Sequence, residues 1–256
     1  MDTAPTHGGH GTPDGHRHGR IADAAGSVGE TVSEAVSDAV SDAVAAVKPR
    51  LRGWLHAGTF PLAVVAGIVL ISVAPTTAGR VSATIYTVTA ALLFGTSAVY
   101  HRGTWSPRTE MLLKRLDHSN IFLIIAGTYT PFAALLLPSG RARTLLLIVW
   151  LGALGGVLFR VFWVGAPRWL YTPVYIALGW VAVIYLPDFL HAGGAALLTL
   201  IVVGGLLYTV GGVVYGLKRP NPSPRWFGFH EVFHACTVAA FTVHYIAVSF
   251  AVYSHR

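Results

Sequence analysis

The chain has 256 residues, of which 54% are hydrophobic and 11% charged, with a mean hydropathy of +0.59. Soluble domains carry about 25% charged residues, so this composition excludes an ordinary water-soluble protein and indicates a membrane protein. The net charge of +7 does not indicate nucleic-acid binding, because basic loops in so apolar a chain set its orientation in the bilayer.

Residues 1–50 are predicted to form a cytoplasmic tail, and residues 51–256 a transmembrane domain. Residues 1–20 are rich in glycine and histidine, a composition typical of disorder. Residues 27–47 follow a four-residue repeat with a valine stripe beside an acidic one, which favours a weakly amphipathic helix. No apolar stretch begins before residue 53, so a cleavable signal peptide is not expected.

Seven apolar runs follow, each close to the ~20 residues that span the ~30 Å hydrocarbon core of a bilayer. Proline, glycine and charged residues separate them, as is usual for loops. The pattern predicts an all-α membrane protein, a seven-transmembrane helix bundle. The runs are 54–75, 82–101, 119–137, 144–164, 169–187, 195–217 and 230–253.

The distribution of lysine and arginine predicts the orientation of these helices. With the N-terminus inside, the inner segments near the membrane hold 12 of these residues and the outer segments hold 4. Because cytoplasmic loops carry the excess of positive charge, we expect the N-terminus to be cytoplasmic and the C-terminus to lie outside.

On this topology, ionisable residues from three helices meet at the cytoplasmic face. His101 ends the second helix, Asp117 lies just before the third, and His230 and His234 begin the seventh. Residues four apart share one face of a helix, and ionisable groups in membrane segments usually serve a function. Three imidazoles with one further position are a common catalytic zinc pattern. We therefore predict a zinc site in which Asp117 is a ligand or accepts a proton from water.

Ser97, one turn before His101, is predicted to donate a hydrogen bond to a developing oxyanion. Simpler interpretations stay open beside these. Asp117 could cap its helix, and several other histidines have roles outside the metal site. His118, His191 and His255 are expected to be interfacial or hydrogen-bonded, whereas His56 is ambiguous and His244 is either a support for the ligands or a packing residue.

The segment His230-Glu231-Val-Phe-His234 also fits the H-E-x-x-H pattern, in which the glutamate is the general base of a metalloprotease. Alone, it would predict an intramembrane protease. Glu231 points about 100° away from His230 on a helix, however, and a carboxylate in a first turn also stabilises the helix N-terminus.

Residues 50–253 resemble the hemolysin III family, the bacterial branch of the superfamily of progestin and adiponectin receptors. The resemblance rests on Ser97-x-x-x-His101, Leu116-Asp117-His118-Ser119-Asn120-Ile121, Gly127-Thr-Tyr-Thr-Pro-Phe132, His230-Glu-Val-Phe-His234 and His244-Tyr245. It implies a multi-pass protein of the bacterial plasma membrane with seven helices and a zinc ion near the inner leaflet. It also implies that His101, His230 and His234 bind the zinc, with Asp117 and Ser97 beside it.

Related receptors and the similar alkaline ceramidases hydrolyse lipid amides, so the resemblance implies a zinc-dependent hydrolase of ceramide-like membrane lipids. The eukaryotic receptors carry glutamine at the position of Glu231 and tyrosine at that of His118, which favours Asp117 over Glu231 as the base. Two alternatives remain: a pore-forming, hemolytic membrane protein, and a sensor with structural zinc.

Overall fold

In the computed structural model, residue 36 and residues 49–254 are described, and their regular structure is helical. Residues 49–254 belong to one compact unit. The predicted disordered segment 1–20 and the repeat 27–47 lie outside the described residues, except for residue 36, which is helical. The α-helices of the compact unit are α1 (Trp54–Val73), α2 (Thr77–Arg102), α3 (Pro107–Leu136), α4 (Ser139–Phe162), α5 (Arg168–Gly179), α6 (Leu186–Leu217) and α7 (Phe229–Ser254).

Within the described residues, six helical stretches are long and apolar enough to cross a membrane. The protein is therefore a multi-pass membrane protein, as predicted. The number differs from the seven predicted runs because the fifth and sixth fall in one helical stretch, where a 3₁₀ turn at Trp180–Tyr185 joins α5 to α6. The six stretches are Trp54–Val73, Thr77–Arg102, Pro107–Leu136, Ser139–Phe162, Arg168–Leu217 and Phe229–Ser254.

The long stretch Arg168–Leu217 doubles back on itself. Trp180 Nε1 donates a hydrogen bond to Thr209 Oγ1 over 2.8 Å, and the hydroxyls of Tyr171 and Tyr215 lie 3.1 Å apart. The chain reverses near Gly194, whose φ of 74° is readily adopted only by glycine. The part of α6 that follows Gly194 thus runs antiparallel to α5.

The third helix begins much earlier than the sequence predicted. The Ser106 side chain accepts a hydrogen bond from the backbone N–H of Thr109, and Pro107 occupies the first turn, where it needs no partner for its nitrogen. Asp117 therefore lies inside α3, about three turns from its start. The alternative that Asp117 caps this helix is wrong, because Ser106 is the cap.

Two interhelical hydrogen bonds fix how α2 meets its neighbours. The Asn120 amide donates to the carbonyl of Leu92 over 2.9 Å, and the Tyr86 hydroxyl donates to the carbonyl of Phe241 over 3.3 Å. Such bonds between buried groups set the register of apolar helices, which otherwise slide easily against one another. They bring the end of α2 beside α3 and the beginning of α7.

Candidate metal centre

Three histidines from α2 and α7 form a compact cluster. One ring nitrogen from each of His101, His230 and His234 lies within 4.8 Å of the others, and Nε2 of His101 is 3.2 Å from Nε2 of His230. All three side chains are buried. Neutral imidazole nitrogens at this separation fit a divalent metal ion, so the cluster can hold one.

Helix geometry and a glycine together place these rings. His230 and His234 are four residues apart in the first two turns of α7 and share a face, while His101 lies in the last turn of α2. Gly53, at the start of α1, packs against His101, and a methyl group there would come 2.7 Å from His101 Cβ. Gly53 also has a φ of 80°, so both the contact with His101 and the backbone conformation require glycine at this position.

Asp117 lies beside the cluster but outside it. Its Oδ2 is 3.6 Å from Nε2 of His101 and 3.9 Å from Nδ1 of His118, and its side chain is 12% exposed. This position suits a proton acceptor next to the ligands. Ser97 is buried, and its Oγ has no hydrogen-bond partner among the described residues. That hydroxyl is free to donate to a ligand.

A fourth imidazole joins the cluster from α1. The ring of His56 stacks on that of His234 with a centroid separation of 3.8 Å and an interplanar angle of 13°. His56 is 2% exposed, and neither of its ring nitrogens has a partner among the described residues. The sequence left this residue ambiguous. Its only signal was an ionisable group in an otherwise apolar span.

Glu231 does not face the histidines, because both of its oxygens are engaged elsewhere. Oε1 forms an ion pair with Arg52, and Oε2 accepts the backbone N–H of Gly228 over 2.8 Å. The side chain is 1% exposed. Glu231 thus caps the first turn of α7 and anchors the segment before α1. Because it has this structural role, it is not available as the general base that the H-E-x-x-H pattern of metalloproteases requires.

His118 is held by hydrogen bonds at both ring nitrogens. Nδ1 donates to the Lys114 carbonyl over 2.8 Å, so Nε2 accepts from the Tyr215 hydroxyl over 3.3 Å. The Tyr175 hydroxyl donates to the backbone carbonyl of His118 over 3.1 Å. Among the other histidines, His244 lies in α7 beyond the cluster, His191 is exposed and His255 is outside the described residues.

The cluster opens into a cavity of about 140 Å³ that runs into the bundle. On α3 its lining extends from Asp117 to Phe132, a distance of roughly 20 Å at about 1.5 Å per residue. The lining surface is mainly apolar, and the lining histidines, apart from His244, gather with Asp117 at one end. The polar residues at that end include His56, Ser97, Asp117, His118, His230 and His234.

Similar proteins identify the family of this chain. Residues 44–245 match the model of the haemolysin-III-related family. A "Hemolysin-3 homolog" of Bacillus subtilis (strain 168) is 39% identical over 150 residues, 58% of this chain and 70% of the relative. A "Hemolysin-3" of Bacillus cereus is 36% identical over 140 residues, 55% of this chain and a little under two thirds (64%) of the relative. The chain is thus a multi-pass membrane protein that belongs to the haemolysin-III-related family.

Proposed function

We propose that this protein is a zinc-dependent hydrolase of ceramide-like lipid amides that works inside the membrane. One observation carries the proposal: three buried imidazoles within 4.8 Å of one another lie at the polar end of an apolar cavity, next to a carboxylate. Apolar space leading to such a site suits a substrate with a hydrocarbon chain and a reactive polar group.

The proposal includes seven crossings, with the N-terminus in the cytoplasm and the C-terminus outside. The stretch Arg168–Leu217 has 50 residues, and a straight helix of that length would reach about 75 Å, more than twice the bilayer core. Its antiparallel arms support two crossings. The excess of lysine and arginine on one side, 12 against 4, supports the orientation.

The three imidazole ligands support zinc as the metal, since a set of three histidines is typical of catalytic zinc sites. His101, His230 and His234 would hold the ion. When bound, zinc supplies a Lewis acid that polarises a carbonyl and activates water.

The surrounding side chains have distinct proposed roles. Asp117 accepts the proton of the attacking water and later returns it to the departing amine, which general acid–base catalysis requires of one group near the scissile bond. Ser97 donates its unpartnered hydroxyl hydrogen to the oxyanion that develops on the carbonyl. The cavity beyond them holds the acyl chain and excludes water from it.

The test is zinc content and amide hydrolysis by the detergent-purified full chain, with fatty-acid release from ceramide in mixed micelles measured by mass spectrometry. We expect bound zinc and turnover in the wild type, both lost in His234→Ala. His191→Ala is the matched control, because His191 is exposed and lies outside the cluster, and it should retain both zinc and turnover. Stable zinc binding without release from ceramides of any chain length would reject the hydrolase and favour a sensor with structural zinc.

Membrane lysis is the second candidate, and the name "Hemolysin-3" of the relative favours it. A lytic protein should release dye from lipid vesicles, and the leakage should survive chelation of zinc. The mainly apolar lining of the cavity argues against a water-filled path, so we expect no leakage at protein-to-lipid ratios that support hydrolysis.

A further inference from the structure

The part of the cavity beyond the histidine end contains several polar side chains, and almost all are hydrogen-bonded within the protein. Three threonine hydroxyls donate to the backbone carbonyl four residues earlier in their own helices, and the hydroxyl of Tyr129 donates to the carbonyl of Gly179. The indole N–H of Trp180 donates to a threonine. These bonds satisfy groups that would otherwise be costly in apolar surroundings. The four hydroxyl residues are Thr128, Tyr129, Thr209 and Thr237.

Two groups in this region are exceptions. The hydroxyl of Tyr208 and Nδ1 of His244 are buried, and neither has a hydrogen-bond partner among the described residues. Both residues line the cavity, and their ring centroids lie 5.6 Å apart. A buried polar group without a partner costs about 1–3 kcal/mol, so two adjacent ones indicate that something else satisfies them.

The hydrogen bonds of His244 define what its free nitrogen can do. Nε2 lies 3.1 Å from the carbonyl oxygen of Ile201, which can only accept, so Nε2 carries the hydrogen. In the neutral ring, Nδ1 is then an acceptor. Gly204 keeps the ring in this position, since any side chain at that residue would overlap the imidazole. The cavity therefore presents one fixed acceptor beside a tyrosine hydroxyl.

We propose that Tyr208 and His244 form a second polar subsite in the cavity, which binds a hydroxyl group carried partway along an apolar chain. A ligand hydroxyl donates to Nδ1 of His244 and accepts from Tyr208, which satisfies both groups at once. Hydrophobic pockets lined by a few polar groups commonly use those groups to orient and select their ligands.

The position of the subsite defines where the ligand carries its hydroxyl. His244 is ten residues beyond His234 on α7, which corresponds to about 15 Å along the helix axis. A chain whose reactive end lies at the histidine cluster would thus carry its hydroxyl near the middle. The inference deepens the proposed function by narrowing its lipid class, but it concerns binding alone and does not depend on turnover.

The experiment measures binding of three probes to the detergent-purified full chain: octadecanoic acid, the same acid hydroxylated near mid-chain, and the same acid hydroxylated beside the carboxyl group. We expect the mid-chain hydroxyl to improve affinity about tenfold over the unsubstituted acid, and the hydroxyl beside the carboxyl group to give no such gain. Equal affinity for all three, or a preference for the hydroxyl beside the carboxyl group, would overturn the proposal.

Two variants test whether Tyr208 and His244 cause the higher affinity for the acid hydroxylated near mid-chain. Tyr208→Phe should reduce the affinity gain to less than about twofold without lowering Tm, since the hydroxyl loses no hydrogen bond to any residue that the structure describes. Gly204→Ala should also reduce it by displacing the His244 ring. The controls are Tyr253→Phe, which removes an exposed hydroxyl, and Gly155→Ala, where a methyl group meets no neighbouring atom within 4 Å. If Tyr208→Phe lowers Tm and keeps the preference, the hydroxyl has a structural role and the subsite does not exist.

Discussion

His56 of α1 lies flat against His234 of α7, with ring centroids 3.8 Å apart and ring planes 13° apart. The stack closes one side of the histidine cluster and restricts rotation of the His234 ring. Groups that orient metal-binding side chains contribute to affinity even when they do not touch the metal. We infer that His56 is a positioning residue for His234.

Two substitutions of His56 distinguish the effect of ring stacking on zinc affinity from the effect of the imidazole nitrogens. His56→Phe keeps a flat ring against His234 and should leave zinc affinity within a few fold of wild type. His56→Ala removes the ring and should weaken zinc binding by about 10-fold or more. Competition with a chromophoric chelator measures both. Equal weakening by the two variants would mean that the imidazole nitrogens of His56 matter and that stacking does not.

Substitutions of the two carboxylates near the cluster, Asp117 and Glu231, should have opposite effects on turnover and on stability. Asp117→Asn removes the proposed proton acceptor and should lower kcat by about 10²-fold or more while zinc stays bound. Glu231→Gln breaks the ion pair with Arg52 and should lower stability by about 1–3 kcal/mol with turnover largely kept. Turnover and thermal unfolding in detergent are the measurements. Loss of turnover in stably folded Glu231→Gln would restore the protease-like assignment of this glutamate.

Gly53 links backbone conformation to the metal site. An alanine there must adopt a φ of 80°, which costs about 1–2 kcal/mol, and its methyl group presses on His101. Gly53→Ala should therefore lower both Tm and zinc affinity. Gly155→Ala, in an exposed helical position, should leave zinc affinity unchanged and maintain or raise Tm. A normal zinc affinity in Gly53→Ala would contradict the contact with His101.

Ser97 and Ser119 form a matched pair. Each has a buried hydroxyl that finds no partner in the described part of the chain, and of the two only Ser97 lines the cavity. Ser97→Ala should lower kcat by about 10²-fold with little change in KM, as expected for a donor that acts on the transition state. Ser119→Ala should leave kcat unchanged. Neither should lower Tm. An equal kcat for Ser97→Ala and wild type would remove Ser97 from the mechanism.

The number of crossings can be tested by labelling introduced cysteines in a Cys236→Ser background with a membrane-impermeant thiol reagent. If Arg168–Leu217 crosses twice, Gly165→Cys and Ser223→Cys label from the cytoplasmic side and His191→Cys labels from outside. A single crossing would put Gly165 and Ser223 on opposite sides. Comparison of labelling in intact cells with labelling in inverted membranes distinguishes one crossing from two.

Much of the site was predictable because topology constrains which helix ends can meet. Alternating apolar runs place the end of the second helix and the start of the seventh on one side, and a spacing of four places His230 and His234 on one face. These two facts bring three histidines together without knowledge of side-chain packing. The start of α3 was missed because a rule based on the ~20 residues of a bilayer span does not predict a longer helix, and α3 has 30 residues from Pro107 onward.

Apolar length, basic loops and local helical spacing are readable from one chain, so a helical membrane protein with a histidine cluster at one end was predictable. The stack of His56 on His234, the ion pair of Glu231 with Arg52, and the cavity shared by Tyr208 and His244 became visible only once the helices were packed together. Those contacts depend on how each helix is rotated about its axis. Helices that are apolar on every side face lipid and protein equally well, so their sequence carries no stripe that marks the buried face.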